Sequence, residues 1–278
     1  MKALLLAAML AAAPAYAQFN LRDLNINKML DTAKNVMKAT TDIAEPEEIS
    51  IGRDMAARLL GAAPLVNNPG LQRYVNNVGR WLAAQSERPD LPWHFGVLEA
   101  PEVNAFAVPG GTIFVTKGLV QRMHSEAELA GVLAHEISHV LRKHHLKAVQ
   151  KAAQTSLAGD AMQFALKDQQ PEAREKLIKL GNEVYTRGLD KSDELEADRV
   201  GIVIAARAGY DSYGLPTVLQ TLQAMNAQDS ALALMFKTHP SPSERLTALA
   251  ERMQPVLDTY ATQAQLPERF GAETKTLR

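Results

Sequence analysis

The chain has 278 residues, 46% of them hydrophobic, with 30 basic against 31 acidic side chains and no cysteine. A net charge of −1 argues against a nucleic-acid scaffold or a polybasic membrane binder. The absence of Cys excludes disulfides, thiolate zinc sites, iron–sulfur clusters and cysteine nucleophiles, so any metal must be held by His and carboxylate.

In chain order, Met1-Lys2 is a short basic start, Ala3 to Ala13 a continuous apolar run, and Ala15-Tyr16-Ala17 a small-x-small cleavage pattern. Together they predict a cleavable export signal over 1–17 and a periplasmic mature protein. The apolar run is too short to span a bilayer, and an N-terminal anchor helix is the alternative. Met29 to Thr40 has helical spacing (Leu30, Ala33, Met37) and is expected to form an amphipathic arm within 18–46. Its apolar face reads as packing surface, with partner or membrane contact as the other use. Glu47 to Leu60 and Leu71 to Ala84 follow as amphipathic helices, separated by the turn Asn67-Asn68-Pro69-Gly70. Trp93 to Leu98, Asn104 to Val108 and Thr112 to Val115 read as strands. Pro109-Gly110-Gly111 joins the last two in a hairpin.

Ser125-Glu126-Ala127-Glu128 is a capping-box pattern opening a helix that is predicted to reach about Leu146. That helix carries His135-Glu136-Ile137-Ser138-His139. Histidines at i and i+4 sit one above the other, so both imidazoles can reach one ion. Glu136 is turned about 100° from His135, flanking the ion without binding it. This is what a zinc hydrolase needs: two nitrogen ligands, an adjacent base and room for water. Chance alone gives about 0.01 matches to the pattern in a chain with 7 His. His144 lies on the opposite face of such a helix and His145 about 80° away. Both read as solvated, as do His94 and His124.

Val149 to Arg187 is polar and mostly helical, broken near Gln169-Gln170-Pro171, and is a candidate lid. A helix from about Ser192 to Ala208 holds Glu194-Leu195-Glu196-Ala197-Asp198. Glu194 and Asp198 share one face, whereas Glu196 points elsewhere. One of the two can be the third ligand while the other accepts an N–H from a ligand histidine. A plain charged helix face is the competing reading. His239 is a loop histidine before a second capping box, Ser241-Pro242-Ser243-Glu244. From about Gln263 the chain reads as a loose polar tail.

Four motifs now stand in order. They are Asn104-Ala105-Phe106-Ala107-Val108-Pro109-Gly110-Gly111, His135 to His139, Glu194 to Asp198, and Thr238-His239-Pro240-Ser241-Pro242 with Arg245. In these the chain resembles metallopeptidase family 48, the gluzincins of HtpX and CAAX-prenyl-protease type, and within it the soluble periplasmic BepA/LoiP type. The resemblance implies an α+β, mostly helical fold with the HExxH helix beside a small sheet. It further implies one Zn²⁺ per subunit on His135, His139 and Glu194, Glu136 as general base, and Asp198 as the carboxylate behind a ligand histidine. Asn104, Ala105, Phe106 and Ala107 would form the edge along which an extended substrate pairs. His239, with Arg245 in reach, would either stabilise the oxyanion or sit on the zinc as a plug.

The resemblance thus implies a zinc metalloendopeptidase acting on misfolded or misassembled cell-envelope and outer-membrane proteins, that is, periplasmic protein quality control. The expected organisation is a signal peptide at 1–17, an arm at 18–46, a peptidase domain at 47–253 and a tail at 254–278. No nucleic-acid partner and no transmembrane helix are expected; peripheral membrane association through the arm is a possible addition. HtpX and CAAX-type members have transmembrane helices and the BepA type a tetratricopeptide extension, and neither has a counterpart in this sequence. Two other classes compete: a chaperone-like binder using the Asn104–Val108 edge with a silent zinc site, and a lipid-facing structural protein.

Overall fold

The computed structural model describes residues 43–155, 188–225 and 229–277. The expected signal peptide at 1–17, the Met29–Thr40 arm and most of the 149–187 segment lie outside the described residues.

Helix α1 (Glu45–Ala62) opens with Pro46 and three carboxylates, Glu45, Glu47 and Glu48, at the positive end of its dipole. Glu48 is 1% exposed and joins three elements. It accepts two bonds from Arg88, both at 3.0 Å, and the Gly110 N–H at 3.2 Å. Asn68 caps α2 (Pro69–Ala83) by accepting the Leu71 N–H at 3.1 Å. The apolar stripe of α2, with Leu71, Val75, Val78 and Leu82, is buried against the sheet.

That sheet has three strands, β1 (His94–Leu98), β2 (Ala105–Val108) and β3 (Thr112–Thr116), in the order β1-β3-β2. β1 runs parallel to β3, pairing Phe95 with Ile113, and β2 runs antiparallel, pairing Phe106 with Phe114. The predicted hairpin is therefore present. Its turn has φ of 78° at Gly110 and 100° at Gly111, a region that only glycine occupies freely. β2 is left as an edge strand.

After α3 (Lys117–Val120), Ser125 caps α4 (Glu126–Leu141) by accepting the Glu128 N–H, and the Glu128 carboxylate reaches back to the His124 N–H at 3.0 Å. All of α4 is buried, so it is the axis of the fold rather than an amphipathic surface helix. It does not reach Leu146. Its last residue is Leu141, Lys143 takes a left-handed φ of 54°, and α5 (His144–Thr155) starts in a new direction.

Helix α6 (Lys191–Arg207) lies against α4 at very short range. A Cβ at Gly201 would stand 2.8 Å from the His135 backbone nitrogen, so only glycine allows the two helices this close. Helices α7 (Gly214–Ala224), α8 (Ala233–Thr238) and α9 (Pro242–Tyr260) complete the layer. In α9 the Ser241/Glu244 capping box is formed in both directions.

The stretch expected to be a loose tail is ordered instead. α10 (Pro267–Thr274) and a following 3₁₀ turn bury Phe270 (0% exposed) and Leu277 (5%). Two apolar side chains at the right spacing suffice for docking, although the composition is polar. The carbonyl of Gln265 accepts the Ala127 N–H at 3.1 Å, and Arg269 pairs with buried Glu126. Glu126 also takes the hydroxyls of Tyr74 (2.9 Å) and Tyr210 (2.7 Å). The architecture is α+β and mostly helical. No helix among the described residues is long and apolar enough to cross a membrane.

Candidate metal centre and cleft

His135 and His139 occupy one face of α4, 3% and 1% exposed, with their Nε2 atoms 3.0 Å apart. α6 brings Glu194, 0% exposed, to them. Its Oε2 is 3.6 Å from His135 Nε2 and its Oε1 is 3.7 Å from His139 Nε2. His239, between α8 and α9, places Nδ1 2.6 Å from Glu194 Oε2. His135, Glu194 and His239 offer ligand atoms all within 4.8 Å of one another. His139 Nε2, 3.0 Å from His135 Nε2 and 3.7 Å from Glu194 Oε1, is a further donor beside them.

These residues fit a divalent cation. Glu194 Oε1 is buried and has no hydrogen-bond partner. An orphaned carboxylate oxygen costs about 1–3 kcal/mol or more unless something positive meets it. Burial pushes the Glu194 pKa up, but the charge and hydrogen bond of His239, with His135 and Arg245, bring it down to about 2. The carboxylate is thus ionised, beside two imidazoles, and the set of nitrogen and oxygen donors without sulfur suits zinc.

The next layer holds this one in place. His135 Nδ1 is 2.9 Å from Asp198 Oδ1, which fixes the ring with Nε2 toward Glu194. Asp198 is fully buried and receives Arg245 through Nε at 2.9 Å and through a second, shorter bond from NH2. Burial opposes its charge, but Arg245 and His135 together hold its carboxyl well below the usual carboxylate range. Glu136 is 3% exposed. Burial raises its pKa, partly opposed by His135 and His239, which moves it toward the range useful for a base.

The cleft outside this centre is lined by Asn104, Ala105 and Phe106 on one side and Glu136, Glu194 and His239 on the other. Asn104 is 3% exposed and its Oδ1 also lacks a partner. Ala105 and Phe106 are half-buried, whereas Ala107 turns into the core at 1% exposed. The edge strand therefore faces the cleft with its N-terminal half.

Two histidines stand where the sequence did not put them. His144 is 1% exposed, not solvated, with Nδ1 3.0 Å from His139 Nδ1. His145 is partly buried, its ring centre 5.4 Å from that of His139, and burial lowers its pKa to about 3. Extrapolating one helix past Leu141 put these residues on outer faces. The left-handed turn at Lys143 returns them to the centre. The available signal was density: four of the 7 His fall within 135–145. Glu196, on the outer side of α6, reaches His144 Nε2 at 3.4 Å. His94 and His124 are exposed.

Residues 69–253 match the model of peptidase family M48. The chain is 32% identical over 221 residues to the beta-barrel assembly-enhancing protease of Escherichia coli (strain K12), covering 76% of this chain and 45% of that protein. It is 26% identical over 243 residues to Metalloprotease LoiP of the same organism, covering 87% and 86%. It is 32% identical over 171 residues to the mitochondrial metalloendopeptidase OMA1 of Arabidopsis thaliana, covering 61% and 33%. The chain spans less than half the length of the assembly-enhancing protease that it matches. The match covers well over half of the sequence and includes both the His135–His139 and Glu194–Asp198 helices, so the chain belongs to peptidase family M48, whose members are zinc-dependent metallopeptidases.

Proposed function

We propose that the chain is a zinc endopeptidase of the bacterial periplasm that cleaves misfolded or misassembled envelope proteins, with His135, His139 and Glu194 as the zinc ligands. The observation that carries this reading is the orphaned Glu194 Oε1 beside two paired imidazole nitrogens, next to Glu136 and the edge strand β2.

Zinc in this position supplies the Lewis acidity that activates water and polarises a carbonyl. The protein's own groups do the rest. Edge strand β2 lends its backbone to an extended peptide, which reads main chain rather than side chains and suits substrates of varied sequence. Asn104 Oδ1, with no partner of its own, accepts a peptide N–H from that segment. Glu136 takes a proton from the attacking water and returns it to the leaving amine. Asp198 and Arg245 hold His135 in one orientation. The similarity to a protease named for enhancing beta-barrel assembly supports envelope substrates.

Glu136→Gln is expected to keep zinc and lose cleavage of an unfolded envelope protein by roughly 10²–10⁴-fold. Parental activity in that variant refutes the mechanism. Glu194→Ala is expected to lose most of its zinc by elemental analysis, and full occupancy would refute this ligand.

A second reading concerns His239. Its Nδ1, 2.6 Å from Glu194 Oε2 and grouped with His135 and Glu194 as a possible ligand, favours a blocking role over oxyanion stabilisation. His239→Ala then cleaves casein faster than wild type, whereas an oxyanion role predicts slower cleavage. Activity in neither form points to a binding protein.

A further inference from the structure

A histidine that ligates a metal through one ring nitrogen needs a partner on the other, because that bond selects the tautomer and holds the ring. His135 has Asp198. On that side His139 Nδ1 meets His144 Nδ1 at 3.0 Å. We propose that His144 is the positioning residue for His139, and that Glu196 anchors His144 in turn. This inference rests on His139 being a ligand.

The protons can be placed without conflict. Metal on His139 Nε2 leaves its proton on Nδ1, which donates to His144 Nδ1. His144 Nδ1 must then carry the lone pair, so its proton sits on Nε2. That nitrogen faces Glu196 Oε2 at 3.4 Å and Asp193 Oδ1 at 3.8 Å, both acceptors. Each group in the chain therefore has one compatible role. The rings of His139 and His144 meet edge-on, with centres 5.1 Å apart at 72°, which leaves the two nitrogens facing each other.

The carboxylates of α6 then divide the work. Glu194 goes to the metal, Asp198 supports the first histidine, and Glu196 supports the second through His144. The left-handed turn at Lys143 is what makes the last of these possible, because it aims the first residue of α5 at the back of His139.

The test uses the full-length protein and measures zinc dissociation constants by competition with a chromophoric chelator. Visible spectra of the cobalt-substituted forms report ligand geometry. His144→Ala is expected to raise the zinc Kd by about 10–100-fold and to shift the cobalt bands. His144→Asn, whose carbonyl oxygen takes the place of Nδ1, recovers most of both. Glu196→Ala shows a smaller effect, and the double variant is no worse than His144→Ala alone, because both break one chain. Wild-type affinity and spectrum in His144→Ala would overturn the proposal, as would an Asn variant as weak as Ala. If the Ala variant does not fold, the Asn and Glu196→Ala variants decide, since neither empties a buried site. His139→Ala separates the two readings. If it keeps full zinc, the ligand assignment itself fails; if it loses zinc while His144→Ala does not, only the present inference fails.

Discussion

At the scale of the residue, the centre is built from charges that stabilise one another out of water. Asp198 and Arg245 show this most clearly, both almost fully buried and joined by two bonds. Removing one member of such a pair leaves the other unpaired in a low-dielectric site, at a cost of about 3–5 kcal/mol. Arg245→Ala is therefore expected to lower the chemical-denaturation free energy by that amount and to loosen zinc. A loss under 1 kcal/mol would show that Asp198 finds other partners. Much of this centre was legible beforehand, because the i, i+4 spacing of His135/His139 and Glu194/Asp198 is a local property of helices. His144 and His145 were not. Their orientation depends on one left-handed, non-glycine residue, Lys143, and lysine carries no sequence mark for that conformation.

Elements add a constraint that side-chain chemistry does not contain: two helices must come close enough for Glu194 and Asp198 to reach His135 and His139. Gly201 sets that distance. Gly201→Ala puts a methyl group 2.8 Å from the His135 nitrogen, so α6 must move away from α4. The expected loss is about 1–3 kcal/mol of stability, together with weaker zinc binding in a chelator competition. Gly271 in α10 is the control, because a Cβ there meets nothing within 4 Å. Alanine at 271 is expected to be neutral or to stabilise by up to about 1 kcal/mol. If the two variants behave alike, helix propensity rather than close approach governs position 201. The strand order could not be foreseen either. The hairpin was readable from Pro109-Gly110-Gly111, but a parallel β1–β3 pair that leaves β2 at the edge depends on contacts distant in sequence.

At the scale of the whole molecule, the C-terminal segment proves to be part of the fold. Phe270→Ala removes a side chain that is 0% exposed and should cost about 3–5 kcal/mol; a negligible change would restore the view of this region as a loose tail. The same region has a pH signature. Burial, and then the Glu126 carboxylate, raise the hydroxyl pKa values of Tyr74 and Tyr210 above the normal tyrosine range. A raised pKa favours the protonated native form. Its stability contribution is complete below about pH 10 and lost as the unfolded phenols ionise above it. Denaturation midpoints should fall more steeply between about pH 10 and pH 12 in wild type than in Tyr74→Phe/Tyr210→Phe, and parallel profiles would count against this.

The cap on the active-site helix has a consequence in time. The first turn of α4 has free N–H groups that need acceptors, and one of these, that of Ala127, is met by the carbonyl of Gln265. Arg269 closes on Glu126 across 143 positions of sequence. A chain that emerges N-terminus first presents its HExxH segment long before these partners exist. Helix α4 is thus left unfinished until residues 265–270 have followed it out. A peptidase domain built this way has its HExxH helix complete only once its C-terminal residues have folded onto it.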